Sequence, residues 1–70
     1  MMRILPYSRL LAHAIEYQGA THRLAIAALS PDRHSVAISP FEREVAATPF
    51  VSGTVAVEMS EDGTLRFVQK

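Results

Sequence analysis

The chain has 70 residues, 49% of them hydrophobic, with seven Lys and Arg balanced by seven Asp and Glu and with no Cys. This length predicts a single small domain, 1–70, whose core lies near the lower limit for stability. The neutral charge argues against nucleic acid or a membrane surface as the partner. Without Cys there are no disulfides to add stability, so we expect a homo-oligomer or another protein partner.

No apolar run reaches the roughly 18 residues that a membrane-spanning helix needs. The N-terminal apolar pair Ile4-Leu5 is stopped by Pro6 before it could form the apolar part of a signal peptide. There is also no repeat and no linker-like segment. We therefore expect a cytoplasmic protein without an internal domain boundary.

Residues 9–18 are compatible with either a helix or a strand. Four apolar residues fall at helical spacing, and Ser8 and Gly19 suit the two ends of a helix. A strand that pairs with 21–30 through a Gly19-Ala20 loop instead places Ile15 opposite Leu24 and Glu16 opposite Arg23. We predict the strand, and an α+β fold with a helix at 9–18 is the alternative.

The next turn begins at Ser30-Pro31, which suits the first two positions of a type I turn. A three-residue loop would place Ala28 opposite Val36 and Ile26 opposite Ile38. One face of the three strands would then be an aliphatic core face, made of Leu11, His13, Ile15, Leu24, Ile26, Ala28, Val36 and Ile38. The reverse face would carry small side chains, those of Ala12, Ala14, Ala25, Ala27, Ser35, Ala37 and Ser39. This small-residue face either admits a second layer, from the chain or another subunit, or is an ordinary half-exposed face.

A short helix is predicted near 40–47, because Ser39 suits an N-cap, Pro40 the first helical position and Glu42 the third. Thr48-Pro49 would end it, and an irregular connection is the competing interpretation.

The last two predicted strands are 51–60 and 64–69, where apolar and polar residues alternate. Gly53 predicts a bulge or a close backbone approach. A three-residue loop with Gly63 in the left-handed conformation would pair Met59 with Leu65 and Val57 with Phe67.

The predicted fold is therefore all-β. We expect an antiparallel meander of about five strands, at roughly 9–18, 21–30, 34–39, 51–60 and 64–69.

The sequence contains little that indicates catalysis or metal binding. His13, His22 and His34 do not converge in the predicted register, so we expect no metal and no cofactor. There is no nucleophile elbow and no Ser and His at a spacing typical of a triad, so we expect no enzyme. The five aromatic residues are not interleaved with basic ones, as a nucleic-acid platform would need, and we expect them in the core and in subunit contacts.

Scattered positions resemble a group of short, uncharacterised bacterial proteins. The matching residues are Ala12-His13, Ile15, Tyr17, Pro40-Phe41, Glu44, Thr48, Phe50 and Gly53. The resemblance covers about residues 9–59 and implies a β-dominated domain without an assigned activity. The hairpin is also similar to the small β domain that flanks the barrel of amidohydrolases, but the chain lacks the His-x-His metal motif of those enzymes.

Two functions follow as expectations. The first is a non-enzymatic domain that acts through protein contact or self-association, with the Ala-rich face as the surface where a partner is expected. The second is a small-molecule or metal-binding module whose site lies near Glu44, Thr48 and Gly53, the positions that the resemblance selects.

Overall fold

The computed structural model describes residues 2–42 and 48–70 of the chain. In these ranges every regular element is a strand, which confirms the all-β class. The strands are β1 (Arg3–Leu5), β2 (Arg9–Tyr17), β3 (Ala20–Leu29), β4 (Val36–Pro40), β5 (Phe50–Met59) and β6 (Leu65–Gln69). The segment 9–18 is a strand up to Tyr17, so the alternative with a helix at 9–18 is wrong.

The six strands form one sheet in the order β1-β6-β5-β2-β3-β4. All neighbours are antiparallel except β2 and β5, which are parallel. The predicted five-strand antiparallel meander is therefore wrong in strand number and in topology. Tight turns in the sequence reveal hairpins, whereas a parallel pair needs a long crossover. The strand β1 has only three residues, too few to show a period of two.

The β2–β3 turn contains Gln18 and Gly19, which both have positive φ, 50° and 78°. This is the pattern of a type I′ hairpin turn, whose twist suits the flanking strands. The predicted Gly19-Ala20 loop is wrong, since Tyr17 pairs with Ala20 and Ile15 pairs with His22. The predicted pair of Glu16 with Arg23 is also wrong.

Glu16 faces Thr21 on β3. Its carboxylate forms an ion pair with the ammonium group of Lys70, which follows β6. This charge pair spans β5, so it depends on the strand order rather than on the hairpin.

The β3–β4 turn begins at Ser30 as predicted, because the N–H of Arg33 donates to the carbonyl oxygen of Ser30 at 2.9 Å. The predicted three-residue loop is wrong. The N–H of Ser30 donates to the carbonyl oxygen of Ser35, which leaves four residues in the loop. Val36 therefore pairs with Leu29 rather than with Ala28, so the predicted pairing of β4 with β3 is wrong by one residue, although Val36 and Ile38 pack against the core as predicted.

The buried face of the sheet, the inner face, contains alanines that were predicted on the reverse face. Ala12, Ala25 and Ala27 are at most 1% exposed. The core cluster consists of Leu5, Leu10, Ala12, Ile15, Ala25, Ala27, Leu29, Val51, Val55, Val57, Leu65 and Phe67, and Tyr17, Val36 and Ile38 pack against it. The predicted aliphatic core face is therefore wrong for Leu11, Leu24, Ile26 and Ala28. It is confirmed for Ile15, Val36 and Ile38.

The curvature of the sheet explains why small residues face the core. The N–H of Leu65, at the start of β6, donates to the carbonyl oxygen of Arg33 at 2.7 Å. In a flat sheet, β6 and β3 would lie three strand spacings apart, about 14 Å. The sheet must therefore curl toward its inner face, where the space near its centre suits alanine.

The second half of the chain follows the prediction more closely. Met59 pairs with Leu65 and Val57 pairs with Phe67, as the three-residue loop requires. Gly63 has a φ of 87°, which confirms its left-handed conformation. The register between β2 and β5 shifts at Gly53, which confirms the bulge.

The predicted helix near 40–47 falls mostly outside the described residues, at 43–47. Its start is wrong, because Ser39 and Pro40 belong to β4 and the N–H of Phe41 extends the ladder to the carbonyl oxygen of Leu24. Across 2–42 and 48–70 there is no helix long and apolar enough to cross a membrane.

Candidate functional site

A row of apolar side chains crosses the outer face of the sheet, opposite the core. Leu11 pairs with Ile26 on one side and with Phe50 on the other. Because Leu10, Ala25 and Val51 point inward, alternation along each strand directs these three side chains outward. Phe50 is 52% exposed, and Leu11 and Ile26 are half-buried.

Leu24 extends this row at the register position opposite His13. It is 46% exposed and has a φ of 46°, in the left-handed region. Such a conformation costs a residue other than glycine about 1–2 kcal/mol. Strained residues of this kind cluster at functional positions. We call Leu11, Leu24, Ile26 and Phe50, together with His13, the outer patch.

His13 joins the β2 strand to the bulge in β5. Its Nδ1 accepts a hydrogen bond from the N–H of Gly53 at 3.3 Å. Its ring lies perpendicular to the ring of Phe50, with the centroids 5.0 Å apart. An accepting Nδ1 carries no proton, so this geometry belongs to the neutral imidazole. The predicted position of His13 on a core face is wrong, since the residue is exposed.

The ligand site predicted near Glu44, Thr48 and Gly53 is only partly described. Glu44 lies outside the described residues. Thr48 precedes β5, and its Oγ1 is buried without a hydrogen-bond partner in the part of the chain that the structure describes. The N–H of Gly53 is engaged by His13, and no hydrogen bond among described residues joins Gly53 to Thr48. The structure groups Gly53 with His13 and Phe50 instead.

The other two histidines lie apart from this patch. His22 lies on β3 and pairs with Ile15 of β2. The Nδ1 of His34 is 3.6 Å from a carboxylate oxygen of Asp32 in the β3–β4 loop. Within 2–42 and 48–70 there is no group of three His, Asp or Glu residues placed to hold a metal ion.

The carboxyl groups of two loop residues have lowered pKa values. The hydroxyl groups of Ser60 and Thr64 and the N–H of Thr64 donate to Asp62, and these bonds hold the pKa of its carboxyl well below the usual range. The hydroxyl of Ser30 and the N–H of His34 lower the pKa of Asp32 in the same way. Hydrogen bonds to an ionised carboxylate favour that form. Both carboxylates are exposed and their bonds stay within the turns, so we assign them a structural role.

Sequence reasoning missed most of the outer patch because it placed Leu11, Leu24 and Ile26 in the core. The signal that could have corrected this assignment is the run of alanines, which suits the inner side of a strongly curved sheet. Phe50 was expected either in the core or in a subunit contact. Nothing in the sequence marks Leu24 as a residue with positive φ.

Comparisons with known proteins add no further assignment. No protein-family model matches the sequence, and neither a curated protein nor a solved structure matches the chain. The outer patch is therefore the feature of the molecule that indicates a function.

Proposed function

We propose that this protein is a non-enzymatic, self-associating β domain whose outer patch packs against the outer patch of a second copy. The observation that supports this proposal is the row of Leu11, Ile26 and Phe50, extended by the strained and exposed Leu24. Burial of these side chains would remove apolar surface from water. The expected compartment is the cytoplasm.

The size of the patch indicates how strong such a dimer can be. The outer face of β5, β2, β3 and β4 is four strands wide, about 19 Å, and about 20 Å long along the strands that carry the patch. This face, of which the outer patch is one part, covers on the order of 400 Å² in projection. Two such faces bury about 800 Å² in total, which is typical of weak, reversible interfaces. We expect dissociation constants in the micromolar range or above.

A second copy suits this face for two reasons. The chain has no net charge, so two copies do not repel each other over long distances. Ala28 and Ala37 pair with each other on the outer face beside the apolar row, and their small side chains allow a second sheet to approach. Sheets that pack face to face lie about 10 Å apart.

Leu24→Asn is the most direct test. Asparagine tolerates the left-handed conformation better than leucine, so the variant should keep or improve folding while it removes an apolar side chain from the contact. Sedimentation equilibrium from about 1 to 500 μM should show the wild-type mass rising from 7.7 kDa toward twice that value. The variant should stay near 7.7 kDa.

Met59→Asn is the matched control, because Met59 is 69% exposed at the opposite end of β5 from Phe50. It removes a similar apolar side chain and should leave the association unchanged. A wild-type protein that stays monomeric at 500 μM contradicts the proposal. So does a dimer that Met59→Asn weakens as much as Leu24→Asn does.

A small-molecule or metal-binding module near Glu44, Thr48 and Gly53 is the second candidate. It is favoured by the Oγ1 of Thr48, which is buried and unbonded among the described residues. A ligand that binds only the folded state raises its thermal stability. A panel of divalent metals and small metabolites should then include one that stabilises the wild type and not Thr48→Val. A panel without any shift counts against this candidate.

A further inference from the structure

We propose that His13 makes the outer patch sensitive to pH, so that the second copy binds the neutral imidazole form and is released when His13 is protonated. This inference rests on the proposed self-association. It concerns how the patch is regulated, and it is carried by the position of His13 between the bulge of β5 and the ring of Phe50.

The neutral imidazole suits a buried contact. Its Nδ1 already accepts the N–H of Gly53, so only the N–H at Nε2 must find a partner when a second copy covers the patch. In the same state the ring packs edge-to-face against Phe50, the largest side chain of the patch. The neutral form therefore supports Phe50 and carries no charge into the interface.

Protonation changes both properties. An imidazolium donates from both nitrogens, so Nδ1 can no longer accept the N–H of Gly53. A charge beside Phe50 must also lose water when a second copy covers the patch, which is unfavourable without a partner charge. The attraction of an aromatic ring for a cation offsets only part of this loss.

The surroundings of His13 offer no such partner among the described residues. On β2 the nearest ionised side chains are Arg9 and Glu16, and Glu16 is paired with Lys70. On β3, Arg23 pairs with Ala14, the neighbour of His13, and is a like charge, and His22 pairs with Ile15 and carries no negative charge. From Phe50 to Val57, β5 carries no ionisable side chain. Glu42, which follows β4, is exposed to solvent.

Histidine is the side chain that normally changes charge between pH 5 and 8. Each dimer contains two copies of His13, so two protons are linked to dissociation. Between pH 8 and pH 5.5 the dissociation constant of the wild type should rise by roughly tenfold or more. This window lies above the range in which the loop carboxylates of Asp32 and Asp62 take up protons.

The experiment compares the wild type with His13→Gln and His22→Gln by sedimentation at pH 8 and pH 5.5. Glutamine can accept the N–H of Gly53 through its amide oxygen but does not titrate, so His13→Gln should associate equally at both pH values. His22→Gln is the control and should keep the pH dependence of the wild type. An unchanged dissociation constant in the wild type, or an equal pH response in His13→Gln, overturns the inference.

A second measurement separates this inference from the proposed dimer. In the Leu24→Asn variant, the amide proton of Gly53 is followed by NMR from pH 8 to pH 5.5. Its chemical shift should change over this pH range, because protonated Nδ1 cannot accept the N–H of Gly53, and the change should be absent when His13→Gln is added. If the wild type never dimerises, the proposed function fails, while this titration still decides whether the His13 bond responds to pH. A Gly53 shift that does not respond overturns the inference independently.

Discussion

Two hairpin loops of this protein share three internal hydrogen bonds but lead to different strand pairings. In the β3–β4 loop the hydroxyl of Ser30 donates to Asp32 at 2.6 Å, and in the β5–β6 loop the hydroxyl of Ser60 donates to Asp62 at 2.5 Å. In each loop an N–H three residues after the serine donates to the serine carbonyl oxygen. The first turn of both loops is therefore built in the same way.

The loops differ in length and in the residue that adopts the left-handed conformation. Ser60 pairs with Thr64 across three residues, whereas Ser30 pairs with Ser35 across four. The left-handed position holds Gly63 in one loop and Arg33, with a φ of 61°, in the other. One additional residue reverses which side chains of the following strand face the core. The hydrogen bonds within the turn thus fix where the chain reverses direction. The length of the loop decides which side chains of the following strand face the core.

Deletion of His34 should have the largest effect, because it would give the two loops equal length. The shorter loop would shift β4 by one residue, so that Val36 and Ile38 leave the inner face. Full burial of such a side chain contributes about 1.5–3 kcal/mol. Since both are only partly buried, we expect the free energy of unfolding to fall by about 2–4 kcal/mol in urea denaturation.

The control for this deletion is His34→Ala, which keeps the loop length and the N–H that donates to Asp32. It should change stability by less than about 0.5 kcal/mol, as is usual for exposed positions. A deletion variant as stable as the control would show that a bulge absorbs the missing residue.

Substitutions at the left-handed positions should have smaller effects of opposite sign. Gly63→Ala adds a Cβ that meets no atom within 4 Å, so its cost comes from the φ of 87° alone. We expect a loss of about 1 kcal/mol. Arg33→Gly relieves the same strain and should gain about 0.5 kcal/mol, because the greater freedom of unfolded glycine offsets part of the relief. Thermal and urea unfolding of both variants measure the difference, and equal signs would refute this explanation.

The smallest difference should appear only in acid. Hydrogen bonds from Ser60 and Thr64 lower the folded-state pKa of Asp62, so the unfolded chain takes up a proton at higher pH than the folded chain does. The stabilisation is therefore complete above about pH 4, the usual Asp range, and is lost as the pH falls toward 2 and below. Asp62→Asn should reduce the loss of stability between pH 4 and pH 2 more than Asp32→Asn does. The reason is that Asp62 accepts three hydrogen bonds within its loop and Asp32 accepts two. The free energy of unfolding of both variants is measured between pH 7 and pH 2. An equal pH dependence of the two variants would contradict this prediction.

Part of the candidate surface could be predicted from the sequence. The bulge at Gly53 and the strand that carries His13 followed from local patterns, whereas the exposure of Phe50 did not. The contact of His13 with Phe50 could not be predicted, because it joins β2 to β5 through a parallel pair that no tight turn marks. The exposure of Leu24 depends on a backbone conformation that leucine rarely adopts.

The sequence by itself determined the all-β class, the positions of most strands and the β5–β6 hairpin, because alternation and turn residues act over a few neighbouring positions. The tertiary structure decided which face is buried. Curling of the six-stranded sheet leaves room on its inner side for Ala12, Ala25 and Ala27, while Leu11 and Ile26 point to the outer face. Which side of a strand is buried depends on the layers around it, and the side chains that alternate along the strand do not specify those layers.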